Sequence, residues 1–483
     1  MVSQDHQLHV MFLPYMAPGH IIPMVDMARL FAANGIRVTI LTTTKNALPF
    51  QNSIARDVRL GRKISLETLR FPSVEAGLPE GCENMFQASS PEMYKLFFRA
   101  LELLKPEFEH RFRQNHPDCI VSDYLYTWTV KLANELGIPR LAFSGSGFFN
   151  LCVSHNIDKY KPHEDIKSET ENFVVPGLPD EVKLTRSQLP DIVKTKNEFS
   201  SLFEELKKAE RDSFGVLVNS FYELEAAYID HFTKDIKIRA WPLGPVSMFN
   251  KDINDKIERG GNSYVSKHSC LSWLDSREPN SVLYICFGSL TRFSKAQITE
   301  IACALEESGH SFVWVLGKVS DSKDGEFWLP ERFQENVSER GLIISGWAPQ
   351  ILILEHPAIG GFLTHCGWNS IVEGVSAGVP MVTWPVFAEQ FYNEKLVTQA
   401  MKFGVPVGNE FWKIWATDET RLIERYKIKK AVRGVMNNED EALEMRKKAS
   451  RLKELAKKAV EEGGSSYNYM KGLIQEIKFY KKA

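Results

Sequence analysis

The chain of 483 residues carries 59 lysines and arginines against 61 aspartates and glutamates, a formal charge of -2, with 43% hydrophobic and 25% charged residues. At roughly 100–200 residues per domain this is too long for one small core and implies two or three domains. Average apolar and charged fractions exclude long disorder and collagen- or mucin-like sequence, and the near-neutral balance gives no electrostatic case for nucleic acid or an anionic membrane as the main partner.

The first residues, Met1 to Gln7, lack a basic region, and Pro14, Pro18 and Pro23 interrupt the apolar stretch behind them, a poor pattern for a signal peptide. No run approaches the roughly 18–20 apolar residues of a membrane-spanning helix. The seven cysteines, Cys82, Cys119, Cys152, Cys270, Cys286, Cys303 and Cys366, are odd in number and scattered, without C-x-x-C or zinc-finger spacing. That argues against a disulfide framework or structural zinc and favours a reducing compartment. A soluble, cytoplasmic protein is expected.

In chain order, His9 to Tyr15 is an apolar run, Ala17-Pro18-Gly19-His20 a turn, Ile21 to Asn34 a helix by its spacing, and Gly35 the stop before the β-branched run Val38 to Leu41. The pattern returns with a strand at Cys119 to Asp123, a helix reaching Glu135, a stop at Gly137-Ile138-Pro139 and a strand from Arg140 to Phe143. Asn250 to His268 is charged and glycine-containing with almost no apolar periodicity, and reads as an interdomain linker or a loop beside it. A second series follows: a strand at Val282 to Phe287, a helix capped by Ser294 and reaching Ser308, and strands at Ser311 to Leu316, Leu342 to Ser345, Gly361 to Thr364 and Pro380 to Trp384. Alternating strands and helices give the α/β class, with two doubly wound parallel-sheet domains. Glu439 to Ala483, broken at Gly463-Gly464, reads as two solvated helices.

The stretch Gly360 to Ser370 runs from a strand through His365-Cys366-Gly367 into a helix opened by Asn369 and Ser370. Free backbone amides, a hydroxyl and an imidazole at a helix N-terminus suit a diphosphate. Gly288-Ser289 follows another strand in the same topological position and is placed to meet the other side of the anion. Neutral donors of this kind explain how a chain without net positive charge holds a nucleotide. Trp347, Gln350, Glu373, Glu389 and Gln390 also follow strands, where a doubly wound sheet binds its ligand. An indole stacks on a base, a carboxylate accepts both hydroxyls of a ribose, and an acid–amide pair reads neighbouring sugar hydroxyls. In the N-terminal half, His20 and Asp123 both lie at strand ends of one sheet. A carboxylate that accepts from one imidazole nitrogen leaves the other free as a base.

From Trp347-Ala348-Pro349-Gln350 through His365-Cys366-Gly367-Trp368-Asn369-Ser370 to Glu389-Gln390, the sequence resembles, without a gap, the signature box of the plant secondary-product glycosyltransferases. These are UDP-sugar-dependent enzymes of glycosyltransferase family 1 with the GT-B fold of two Rossmann-like domains facing a cleft. The likeness extends over nearly the whole chain, from Pro18-Gly19-His20 through Trp241-Pro242-Leu243-Gly244-Pro245 to Glu461-Glu462-Gly463-Gly464-Ser465-Ser466. It implies an acceptor-binding domain at 1–249, a linker region or loop at 250–268, a UDP-sugar-binding domain at 269–460, and a C-terminal helix at 461–483 packing back on the first domain. It implies that Trp347 stacks on uracil, that Ala348 and Gln350 bond uracil or ribose, and that Glu373 holds the ribose hydroxyls. Ser289, His365, Asn369 and Ser370, with the Gly367 turn, hold the diphosphate, and Trp368, Glu389 and Gln390 face the sugar. His20 and Asp123 become the catalytic pair of an inverting transfer. In this family a closing Gln goes with glucose and a closing His with galactose, so Gln390 points to UDP-glucose as donor co-substrate.

No Asp-x-Asp occurs, so departure of UDP is expected to rest on helix dipole and side-chain donors, with no metal and no further cofactor. Close relatives often carry His-Gly-Thr where this chain has Ser144-Gly145-Ser146, which alters the contact available from Ser146. The acceptor side is expected in Leu78 to Glu92, Phe148 to Tyr160 and Leu184 to Phe203, whose Met85, Phe86, Met93, Phe148, Phe149, Leu189 and Phe199 would form a broad apolar pocket. The overall sequence resembles most a branch acting on triterpenoid and steroid sapogenins as well as flavonoids and other phenolics. The expected partners are therefore a UDP-sugar and an apolar hydroxylated small molecule, bound by a monomer. A non-catalytic UDP-sugar-binding protein would keep the box and lose His20 or Asp123, and a nucleotide-sugar oxidoreductase or epimerase would need a G-x-G-x-x-G turn where Pro14 to Gly19 stands.

Overall fold

Strands of Val, Ile, Leu, Phe and Thr, buried on both faces, are what a parallel sheet between two helical layers requires. The computed structural model describes residues 7–480 except 89, 196–199, 262–266, 318, 320–326 and 414–420. Its strands are β1 (His9–Leu13), β2 (Arg37–Thr43), β3 (Ile64–Leu69), β4 (Cys119–Asp123), β5 (Arg140–Ser144), β6 (Asn172–Val174), β7 (Lys183–Thr185), β8 (Gly215–Val218), β9 (Ala240–Pro242), β10 (Val282–Cys286), β11 (Ser311–Leu316), β12 (Gly341–Ser345), β13 (Ile359–Thr364), β14 (Met381–Thr383) and β15 (Gly404–Pro406). One sheet has the order β3-β2-β1-β4-β5-β8-β9 and a second the order β12-β11-β10-β13-β14-β15, with β6-β7 a small antiparallel pair. Both large sheets are parallel throughout, the doubly wound α/β arrangement of a GT-B protein.

The two halves share packing. One buried cluster runs from Ala142, Val216 and Val218 of the first sheet through Trp368 to Val282, Tyr284 and Phe362 of the second. Helix Ser465–Lys478 buries Met470, Leu473, Ile474 and Ile477 in the same cluster as Leu8, Phe12 and Phe31. Each such side chain contributes roughly 1.5–3 kcal/mol of burial, so this helix packs on the N-terminal half; it was the charge pattern, and not the family likeness, that suggested a solvated one.

Two further expectations are corrected. Pro18, Gly19 and His20 are not a turn; they open helix Pro18–Ala33, whose N-cap is the extended Ala17. Proline is tolerated there because the first amide of a helix has no intrahelical partner. The stretch from Asn250 is not a solvated loop up to Gly261: it holds helix Ile253–Glu258, capped by Asp252, with Asn250 and Asp255 buried.

Candidate functional site

The N-terminal half of the site is built on the ends of β1 and β4. His20 Nδ1 lies 2.7 Å from Asp123 Oδ2, with the imidazole 24% exposed and the carboxylate fully buried. An ionised carboxylate only accepts, so Nδ1–H donates to it and Nε2 holds the lone pair. Asp123 is fixed in turn: its Oδ1 accepts the Leu125 amide at 3.1 Å, and its backbone carbonyl accepts from Arg140. Burial disfavours the imidazolium, but the Asp123 carboxylate, its hydrogen bond and the charge of Glu389 outweigh it, and the pKa of His20 lies above its ordinary 6.5. Tyr15 meets the ring edge-on at 5.5 Å between centroids and Tyr124 stacks on it at 6.2 Å. Gly145 lies alongside as well, since a Cβ there would sit 3.4 Å from His20 Cε1. Ser144 and Ser146 bond each other across that glycine.

The C-terminal half is built on β10 and β13. Helix Trp368–Ala377 begins after Gly367 and ends at the left-handed Gly378, so its free N-terminal amides point out of the sheet end. His365 is wedged between two glycines: a Cβ on Gly288 or Gly367 would fall 2.6 or 2.5 Å from its Nε2. Its Nδ1 is buried and, among the described residues, has no hydrogen-bond partner. Burial alone drives its pKa down to about 4, so it is a neutral imidazole with bonding capacity to spare. Ser289, next to Gly288, is exposed. Asn369 closes the cleft, its Nδ2 donating to the carbonyl of Gly19 at 2.6 Å.

Farther along that helix the residues assigned to the nucleotide form one network. Gln350 Nε2 donates to Glu373 Oε2 at 2.7 Å and to Ser370 Oγ at 3.3 Å, and Gln350 Oε1 accepts from Tyr284. Trp347 is half-buried and Ala348 buried beside them. The reading from sequence missed Arg259, which bonds Glu373 Oε1 at 2.5 Å and whose carbonyl accepts from Trp347 Nε1 at 3.0 Å. Its only signal was an arginine before Gly260-Gly261 in a stretch taken for a linker.

The three side chains expected to face the sugar, Trp368, Glu389 and Gln390, are largely committed to bonds within the protein. The Trp368 ring is 2% exposed, packed against Gly147, and donates its indole N–H to the Asn219 carbonyl. Gln390 Oε1 accepts the amides of Val386 and Phe387, leaving only Nε2 for a ligand. Glu389 receives the Trp368 backbone amide and Asn393, yet burial still raises its pKa. Among the expected acceptor residues, Phe148 and Phe149 lie on helix Phe148–Tyr160 and are fully buried in the core with Leu189. Met85 is buried in a second cluster, Met93 packs on it, Phe86 is exposed, and Phe199 lies outside the described residues.

Residues 241–410 match the family model described as UDP-glucoronosyl and UDP-glucosyl transferase. A scopoletin glucosyltransferase of Nicotiana tabacum is 47% identical, with 98% of each chain covered. A soyasapogenol B glucuronide galactosyltransferase of Glycine max is 45% identical over 99% of this chain and 97% of its own. The Glycyrrhiza uralensis protein UGT73P12, crystallised with glycyrrhetinic acid 3-O-monoglucuronide, superposes with a TM-score of 0.92 at 44% identity, covering 98% of this chain and 96% of its own.

Proposed function

The chain belongs to the UDP-glycosyltransferase family and acts on plant secondary metabolites; from that premise we propose that it is an inverting, UDP-glucose-dependent O-glucosyltransferase. The observation that carries the reading is the 2.7 Å pair of His20 and Asp123, set against the N-terminus of helix Trp368–Ala377 through the bond from Asn369 to Gly19. His20 Nε2 removes the proton of an acceptor hydroxyl as its oxygen attacks the anomeric carbon. The bond from that carbon to UDP breaks on the opposite face, and an α-linked donor gives a β-glucoside. Asp123 orients the imidazole and stabilises the imidazolium. The charge that develops on UDP is taken up by Ser289, His365, Asn369, Ser370 and the helix amides. Gln390, through Nε2, and Glu389 read the sugar hydroxyls. Turnover should survive a chelator; strict dependence on Mg²⁺ or Mn²⁺ would contradict this part of the reading.

For the acceptor, a triterpenoid or steroid sapogenin is the first class. The Glycine max and Glycyrrhiza uralensis relatives, by the compounds in their names, support it. A flavonoid or other phenolic is the second reading, favoured by the Nicotiana tabacum relative and by a 49% identical flavonoid 3-O-glucosyltransferase of Fragaria ananassa. The burial of Phe148, Phe149 and Leu189 removes three apolar residues from the pocket once expected of them, and with them part of the case for a bulky acceptor. The test is a matrix of purified protein against UDP-glucose, UDP-galactose and UDP-glucuronate and against sapogenin, flavonoid and coumarin acceptors, read by product mass. Glucosylation of sapogenins is expected; activity confined to small phenolics overturns the first acceptor class, and preference for UDP-galactose overturns the donor.

A further inference from the structure

Arg259 stands where the two halves and the nucleotide residues meet. Helix Ile253–Glu258 is pinned to the N-terminal half, Asp255 accepting from Arg29 and Arg56 at 2.5 Å, and to the C-terminal half, Lys256 bonding Glu355 at 2.6 Å. The helix delivers Arg259 between two carboxylates that are each 5% exposed: Nε donates to Asp26 at 2.7 Å and Nη1 to Glu373 at 2.5 Å. Its Nη2 is buried and, among the described residues, has no partner. After it the backbone lies on the Trp347 indole. A Cβ on Gly260, whose φ is +79°, would fall 2.6 Å from Trp347 Cζ2 and 2.4 Å from Ile22 Cδ1, and one on Gly261 would fall 3.0 Å from Trp347 Cγ.

We propose that Arg259 is a positioning residue for the donor nucleotide: it holds the Glu373 carboxylate aimed at the ribose hydroxyls and offers its remaining Nη2–H to a nucleotide oxygen. The proposal rests on the assignment of Trp347 and Glu373 to uridine made above. A forked guanidinium fixes a buried carboxylate in one orientation, and such a charge-assisted bond is shorter and stronger than a neutral one. An unused guanidinium donor in a buried site calls for an acceptor that arrives with the ligand. The second arm has a further effect. Asp26 belongs to helix Pro18–Ala33, which carries His20 in its first turn, so one guanidinium ties the helix bearing the base to the helix bearing Glu373.

The experiment is titration of the full-length protein with UDP by calorimetry, together with steady-state kinetics, for the parent, Arg259→Gln, Arg259→Lys and Glu373→Gln. Arg259→Gln is expected to weaken UDP binding and raise KM for UDP-glucose at least tenfold, with kcat changed less than twofold. Arg259→Lys should recover part of the loss, since it restores charge without the forked geometry. UDP bound by Arg259→Gln as tightly as by the parent, or more tightly, while Glu373→Gln weakens it, overturns the role of Arg259 alone; tighter binding would mark the segment as a cover that the nucleotide displaces. Normal UDP binding by Glu373→Gln removes the premise and the proposal with it. Should Arg259→Gln fail to fold, Arg259→Lys carries the test: KM for UDP-glucose raised severalfold at near-constant kcat supports the role, and an unchanged KM overturns it.

Discussion

His20 and His365 each follow a central strand of a parallel sheet, one after β1 and one after β13, and both are largely enclosed by protein. Asp123 accepts from the first at 2.7 Å, and that carboxylate with Glu389 lifts its pKa above 6.5 in spite of burial. No carboxylate bonds the second among the described residues; it is held by the absence of side chains on Gly288 and Gly367, and burial carries its pKa down to about 4. The same fold position thus supports two chemistries, and what divides them is one acidic partner. A histidine with a charged acceptor behind it suits proton removal; one kept neutral and short of partners suits hydrogen bonding to a ligand.

Substitutions break this comparison at different depths. Replacing His20 by alanine should have the largest effect, about a 10³-fold fall in kcat, within the range that general bases supply, while UDP affinity measured by titration stays at the parent value. Asp123→Asn keeps the imidazole but removes its charged acceptor, which makes His20 more like His365. Turnover should fall about 10²-fold and the acidic limb of the kcat/KM profile should move to lower pH. In the parent, that limb reports His20 losing its proton, so kcat/KM should rise with pH through a midpoint above 6.5. Gly288→Ala asks for φ +73° in a residue with a Cβ and presses that Cβ to 2.6 Å from His365. Relieving this clash by shifting His365, at about 1–3 kcal/mol, predicts a rise in KM for UDP-glucose of about 5- to 150-fold, with the pH profile unmoved.

The smallest effect is on stability, and its sign differs between the two rings. His365 takes up a proton near 6.5 when unfolded and only near about 4 when folded, so the stability it contributes is present above 6.5 and lost as pH falls across that window. His20, with its folded pKa raised, contributes stability that is full below 6.5 and lost as pH rises through its folded value. Thermal midpoints against pH should therefore show a shallower acid decline in His365→Gln than in the parent, and a shallower loss on the alkaline side of 6.5 in His20→Gln.

Much of this was legible in the residues because the signals are local. Cys119–Asp123 and Ser311–Leu316 form as strands over the ranges their apolar runs indicate, and the helix after Ser294 starts on the cap that its hydroxyl provides. His20 and Asp123 were singled out as strand-end residues, and the fold brings them together from 103 positions apart. The failures share a physical cause, which is that sequence shows a side chain's type and not what it faces. Arg259 and Asp255 looked like solvated charge because their partners, Glu373, Asp26, Arg29 and Arg56, are far away in the chain. Phe148 and Phe149 looked like pocket walls but pack against Phe232 and Tyr228. Gln390 was expected to face the sugar with its whole amide, yet half of that amide is committed to the loop before its own helix. Pro18 looked like a turn former, but proline also opens helices, and here it does.

Everything proposed for this site turns on a single displacement at the anomeric carbon, driven by an acceptor oxygen that His20 deprotonates. The measurement that tests it most directly is the anomeric configuration of the glucoside formed from UDP-glucose, read by proton NMR on the first product of the acceptor panel. A single displacement gives the β-anomer alone; an α-glucoside would mean a second displacement or another mechanism.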